Sequence, residues 1–261
     1  MSSLIPGLVS ITFRNLAPPE LIDLVRSAEL KAIEWGGDVH VPHGDTARAR
    51  EVRQQTLDAG LAVAAYGSYY RLGVSEAQGL PFTQVLASAA ELGAPTIRVW
   101  AGNKGAQETT APERREIIAD ALRVADLAQE QNVGISLEYH ANTLTDQRES
   151  VQELLKELAH PNIDFLWQTS NGEKVEACLE RLADVLPRVR HAHVFHWWPN
   201  SANRFPLADG EADWLKYLKI LSRPGKAMPC LLEFVRGDSP EQFLEDAATL
   251  RRLIAAVEKS S

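Results

Sequence analysis

Cysteine is nearly absent from this chain. Its 261 residues contain two, Cys178 and Cys230. One pair in a chain of this length is no disulfide framework, and a reducing cytoplasm is the expected setting. Long apolar runs are missing as well. No stretch approaches the ~18 unbroken apolar residues of a membrane-spanning helix, so no membrane partner is expected. The opening "MSSLIPGLVSITF" has no charged segment ahead of a long apolar one, and no signal peptide is expected there. Basic residues are outnumbered, 27 against 35 acidic, which leaves a net charge of −8. That balance speaks against general binding to nucleic acid or to anionic surfaces. No G-x-G-x-x-G follows the first apolar run, which disfavours a dinucleotide-binding open sheet. Low-complexity segments and linkers are absent, and no boundary divides residues 1–261.

What is present is an alternation. Short β-rich runs occur at 7–13, 31–35, 61–66, 96–100, 133–139, 163–168, 189–195 and 230–235. Helical patterns follow them near 18–28, 46–58, 81–92, 112–130, 148–159, 173–185, 211–222 and 240–257. In the fourth, Ile117, Ile118, Ala121, Leu122, Ala125 and Ala128 make one apolar stripe at helical spacing. Thr110 and Glu113 have capping-box spacing before it, and Pro112 suits a first turn. Eight such units predict a single-domain α/β protein, a (β/α)8 TIM barrel. The longest structureless stretches, 36–46 and 197–210, both follow strands. Both should lie at the C-terminal face, where barrel active sites sit, and border one pocket.

Polar residues crowd the ends of strands that ought to be apolar. In "VRHAHVFHWW", three of the seven histidines fall within six residues: His191, His193 and His196. Alternation decides where such residues point. Val133, Ile135 and Leu137 take the face toward the helices, so Glu138 points into the barrel. By the same rule Gln168, His191, His193 and Glu233 point inward. Two carboxylates, an amide and imidazole from four successive strands then converge near the axis. Unpaired, they would be costly to bury. A divalent cation accounts for them together, and Mn, Mg, Co and Zn all suit oxygen donors with one imidazole.

From "VSITFRNL" to "LEFVRGD" the chain resembles the xylose isomerase-like family of sugar and sugar-phosphate isomerases and epimerases. The carrying stretches are "IEWGGDVHVPHGD", "IRVWAGNKG", "ISLEYH", "HAHVFHWWPNSANRFPLADGEADW" and "LLEF". The resemblance implies a metal held by Glu138, Gln168, His193 and Glu233, with Glu138 and Glu233 also moving protons. Position 168 departs from the pattern, since the family usually has Asp there. Gln offers a carbonyl oxygen but no charge, so the cation should be held less firmly or differently. His191, one layer deeper, is expected to support a metal-binding carboxylate. Substrate contacts are expected from Glu34, His40, Trp100, His140, Asn171, His196 and Arg204. The implied activity is isomerisation or epimerisation of a small-molecule carbohydrate through an enediolate. Two alternatives stand beside it: an inosose-type polyol dehydratase, and a non-catalytic ligand-binding barrel with a degraded metal site. A homo-oligomer is compatible with all three.

Overall fold

The computed structural model describes residues 4–259. Eight strands run β1 (Leu4–Val9), β2 (Ala32–Gly36), β3 (Ala62–Arg71), β4 (Thr96–Trp100), β5 (Gly134–Glu138), β6 (Ile163–Trp167), β7 (Val189–Val194) and β8 (Met228–Leu232). Eight helices follow them: α1 (Pro18–Ser27), α2 (Thr46–Asp58), α3 (Phe82–Leu92), α4 (Ala111–Glu130), α5 (Arg148–Glu157), α6 (Val175–Val185), α7 (Glu211–Leu221) and α8 (Pro240–Lys259). Each strand pairs in parallel with its neighbours in the chain, and β1 pairs with β8 to close the ring. This is a (β/α)8 barrel. Among the described residues no helix is long and apolar enough to cross a membrane.

The helices form where the periodicity placed them. At α4, Thr110 Oγ1 accepts from the Glu113 N–H and the Glu113 carboxylate accepts from the Thr110 N–H, so the capping box is formed. Ile117, Ala121, Val124, Ala125 and Ala128 are its buried face. Each large apolar side chain buried this way contributes about 1.5–3 kcal/mol. Inside the ring, Val9, Ile11, Ala32, Ala64 and Leu231 form a small apolar plug. Ring closure there depends on Gly7, because a Cβ would sit 2.4 Å from the Ala32 carbonyl oxygen.

Three local differences shape the mouth. The first run stops being a strand at Val9, and Ser10–Phe13 form a 3-10 turn that brings Arg14 over the barrel. After β7 the chain stays extended as a small hairpin, in which His196 and Trp197 pair with Phe205 and Arg204. Past β8, Phe234 adopts a left-handed conformation (φ 44°) and lines the mouth.

Candidate active site

The deepest polar layer is built from β2, β4 and β7. Glu34, Arg98, His191 and His193 are all buried there. Arg98 Nε lies 3.2 Å from Glu34 Oε1. His191 Nε2 and His193 Nε2 lie 3.2 and 3.0 Å from Glu34 Oε2. Burial works to raise the Glu34 pKa, but the charges and hydrogen bonds of His193, His191 and Arg98 hold it well below the usual carboxylate range. Glu34 therefore anchors the histidines from below. The sequence pattern assigns it to substrate, and its complete burial in this layer removes it from that role. His191 supports a carboxylate as expected, but that carboxylate is Glu34.

One layer up, β5, β7 and the end of β8 bring Glu138, His193 and Glu233 together. One ligand atom from each lies within 4.8 Å of the others. His193 Nδ1 is 3.4 Å from Glu233 Oε2 and has no hydrogen-bond partner among the described residues. Burial pushes the His193 pKa down, yet Glu233 and Glu34 outweigh it and hold the imidazole protonated, with a pKa raised to about 10. Arg98 donates to Glu138 Oε2 at 2.8 Å, and Trp100 Nε1 donates to the same oxygen. Burial would raise the Glu138 pKa, but Arg98 and the two nearby histidines keep it low. Gln168 donates through Nε2 to the Tyr139 carbonyl at 2.6 Å and to Glu138 Oε1 at 3.3 Å. Its Oε1 is buried and has no partner among the described residues. An imidazole nitrogen and an amide oxygen without partners among the described residues, together with two carboxylates, fit a divalent cation, to which His193 would offer Nδ1 by losing its proton. Charge agrees with that fit. With His193 neutral, a divalent ion and Arg98 balance Glu34, Glu138 and Glu233.

Above this layer a cavity of about 630 Å³ opens at the C-terminal ends of the strands. Glu138, Gln168 and Glu233 form part of its floor, and Trp100, His140, Asn171 and Arg204 line its walls. The His140 ring packs on Trp100 at 4.5 Å between centroids. Its Nδ1 lies 2.7 Å from the Ala141 carbonyl, which can only accept, so Nδ1 carries the hydrogen. In the neutral tautomer that this contact selects, Nε2 carries the lone pair. Arg204 donates to Asp238 at 2.5 Å and stacks 4.7 Å from the Phe234 ring.

Two other expected substrate contacts fall elsewhere. His40 is buried, with ring nitrogens 2.9 Å from Ser10 Oγ and 3.2 Å from the Leu16 carbonyl. Its loop, 36–46, lies at the expected end of the barrel but contributes no lining residue, whereas Trp197, Ser201 and Arg204 of the other loop do. His196 faces a separate cavity of about 530 Å³ between the hairpin, α6 and α7. Strand alternation persists into the hairpin and aims it outward, against Phe205 and Gly210. Sequence reasoning missed Arg14, because the 3-10 turn after β1 has no periodic signature.

A family model for xylose isomerase-like TIM barrels matches residues 22–253. The chain belongs to that family. This xylose isomerase-like barrel is also 35% identical over 103 residues to a 3-dehydroshikimate dehydratase of Bacillus anthracis, a match spanning 37% of this chain and 35% of that protein. The chain thus spans about a third of the length of the curated relative it matches. The crystal structure of the probable 3-DHS dehydratase of petrobactin synthesis from Bacillus anthracis superposes with a TM-score of 0.79 at 20% identity, covering 95% of this chain and 98% of that one. A xylose isomerase-like TIM barrel protein from Mycobacterium smegmatis, solved in complex with magnesium, gives 0.70 at 16% identity, with 98% and 99% covered. Likenesses at those identities speak for the fold.

Proposed function

We propose that this protein is a divalent-metal-dependent dehydratase acting on a small hydroxylated ketone. The observation that carries this reading is the stacking of two layers. Three potential ligand atoms within 4.8 Å of one another lie under a cavity walled by a histidine whose tautomer leaves Nε2 free to accept a proton. A bound divalent cation would serve as a Lewis acid at the substrate carbonyl oxygen, acidifying the adjacent C–H. Glu138, His193 and Glu233 would hold that ion, with the Gln168 carbonyl oxygen beside them.

His140 Nε2 takes the proton from the carbon next to the carbonyl. The electrons left behind form a carbon–carbon double bond as the C–O bond one carbon further on breaks. His140 returns its proton to the departing hydroxyl, so the products are an unsaturated ketone and water. Glu138 is poorly suited to carrying a proton, because Arg98, Trp100 and Gln168 donate to its two oxygens. Its part is to orient and to bind. Trp100 fixes the His140 ring plane, and Asn171 and Arg204 offer donors to substrate oxygens.

Isomerisation and epimerisation begin with the same proton removal, but return the proton to carbon. The relative's name favours water loss, and 3-dehydroshikimate is the first compound to try. Metal-loaded protein incubated with it and with a panel of hydroxyketones in D2O should yield a conjugated product lacking one water. Substrate-mass products carrying deuterium would replace the dehydratase with an isomerase or epimerase. Neither outcome on any compound would leave a ligand-binding barrel. His140→Gln should lower turnover by roughly 10²–10⁴-fold while metal content stays unchanged.

A further inference from the structure

We propose that Arg14 is a specificity-determining residue that binds a carboxylate on the substrate, at the end remote from the reacting carbon. The inference rests on the dehydratase reading for where reaction occurs, and on the barrel's topology for where Arg14 stands. In the closed ring the strand order is β1, β8, β7, β6, β5, β4, β3, β2. The strand diametrically opposite β5 is β1. His140 follows β5 and Arg14 follows the turn after β1, and both line the same cavity. The guanidinium itself is carried round to the β2–β3 wall by Asp38 and Tyr69, so a substrate whose reacting end meets His140 has Arg14 within reach of its other end at the same mouth.

Arg14 is built to present its charge there. Its Nη1 donates to Asp38 and its Nη2 donates to the Tyr69 hydroxyl at 2.6 Å. Tyr69 is itself wedged edge-on against Trp100, with ring centroids 5.5 Å apart. Three segments, from β1, β2 and β3, thus fix one guanidinium at the rim. This explains what the 36–46 loop does without touching the cavity: its Asp38 braces Arg14. A guanidinium has five N–H donors, and two are used here. Three remain without a partner among the described residues, on a side chain 43% exposed. Planar, fork-shaped donors match a planar carboxylate. Asp38 already neutralises one charge, so a singly charged carboxylate suits the site better than a phosphate dianion. The deeper guanidinium, Arg98, is buried against Glu34 and Glu138 and has no comparable freedom.

The test compares two probes that differ only in the acidic group. 3,4-Dihydroxybenzoate is the aromatic acid left when a carboxylated dihydroxycyclohexenone loses water; catechol is the same diol without the carboxylate. Both are titrated calorimetrically into magnesium-loaded wild type, Arg14→Met and Arg14→Gln. Wild type should prefer the acid by about 10- to 100-fold, the range of a charge-assisted hydrogen-bonded contact. Both variants should lose most of that preference and keep their affinity for catechol within about twofold, a change too small to matter beside a tenfold effect. The two neutral replacements differ in size and polarity, so a folding defect in one leaves the other to decide. Persistence of the wild-type ratio in a folded variant overturns the proposal. So does a wild type that binds both probes equally or not at all. The turnover and deuterium measurements are independent of these probes. Water loss without acid preference would remove the role of Arg14 alone, and acid preference without turnover would remove the dehydratase alone.

Discussion

At the level of single residues, the informative position is Gln168. Its Nε2 is tied to the Tyr139 carbonyl and to Glu138, which forces Oε1 to be the buried atom without a partner among the described residues. An amide there contributes a dipole where a carboxylate would contribute a charge. Gln168→Asp should therefore tighten divalent-cation binding by about tenfold or more, since a unit charge near the ion is worth a few kcal/mol at protein-like dielectric. Asp is a better probe than Glu. The isosteric carboxylate introduced by Gln168→Glu would aim its second oxygen at the Tyr139 carbonyl, which can only accept. Calorimetric titration with Mg and Mn measures the change. Unaltered affinity for both ions would place Gln168 outside the ligand set.

At the level of elements, the loop carrying Arg204 is secured by a helix. The Leu207 N–H donates to Asp246 Oδ1 at 2.8 Å, and Gln242 Nε2 donates to the same oxygen at 2.9 Å, so α8 holds the segment that leads away from the hairpin. Burial raises the Asp246 pKa from 3.8 to about 6, against the pull of those two donors. The folded state then binds a proton more tightly than the unfolded chain does. That contribution is fully present below pH ~4 and is lost as pH rises through ~6, amounting to roughly 1–3 kcal/mol. Asp246→Asn keeps Oδ1 as the acceptor and removes the titration. The variant should therefore gain stability relative to wild type between about pH 4.5 and pH 7, as read by denaturant midpoints at the two values. A constant difference across that range would mean that Asp246 does not titrate there.

For the molecule as a whole, the cation couples strands that are far apart in the chain. Glu138 and Glu233 are separated by most of the second half of the sequence and meet only in the closed ring. An ion bound between them favours the folded state by mass action, about 2.7 kcal/mol at a hundredfold excess over Kd. In a chain of this size the melting temperature should rise by about 5–10 °C. Scanning calorimetry in EDTA and in excess Mg or Mn measures it. Glu233→Ala should abolish the rise, and an equal rise in that variant would locate the ion elsewhere.

How much of this is legible in the sequence follows from the range of the interactions involved. Helix positions are readable because a stripe such as Ile117, Ala121, Ala125 and Ala128 repeats within a few residues, and because Thr110 and Glu113 cap locally. Eight repeats of strand and helix admit few closed architectures. Alternation along a strand aims Glu138, His193 and Glu233 inward, since that rule also needs only neighbours in sequence. What the sequence leaves open is depth and partnership. Glu34 and His193 both point inward, yet one is sealed beneath the other, because depth depends on the stagger of strands around the ring. His40 loses its place at the mouth to hydrogen bonds with Ser10 and Leu16, which lie 30 and 24 residues away. Arg14 gains a place there through Asp38, on the loop after β2, and Tyr69, on β3. Local periodicity sets which way a side chain turns; only closure of the barrel sets what it meets.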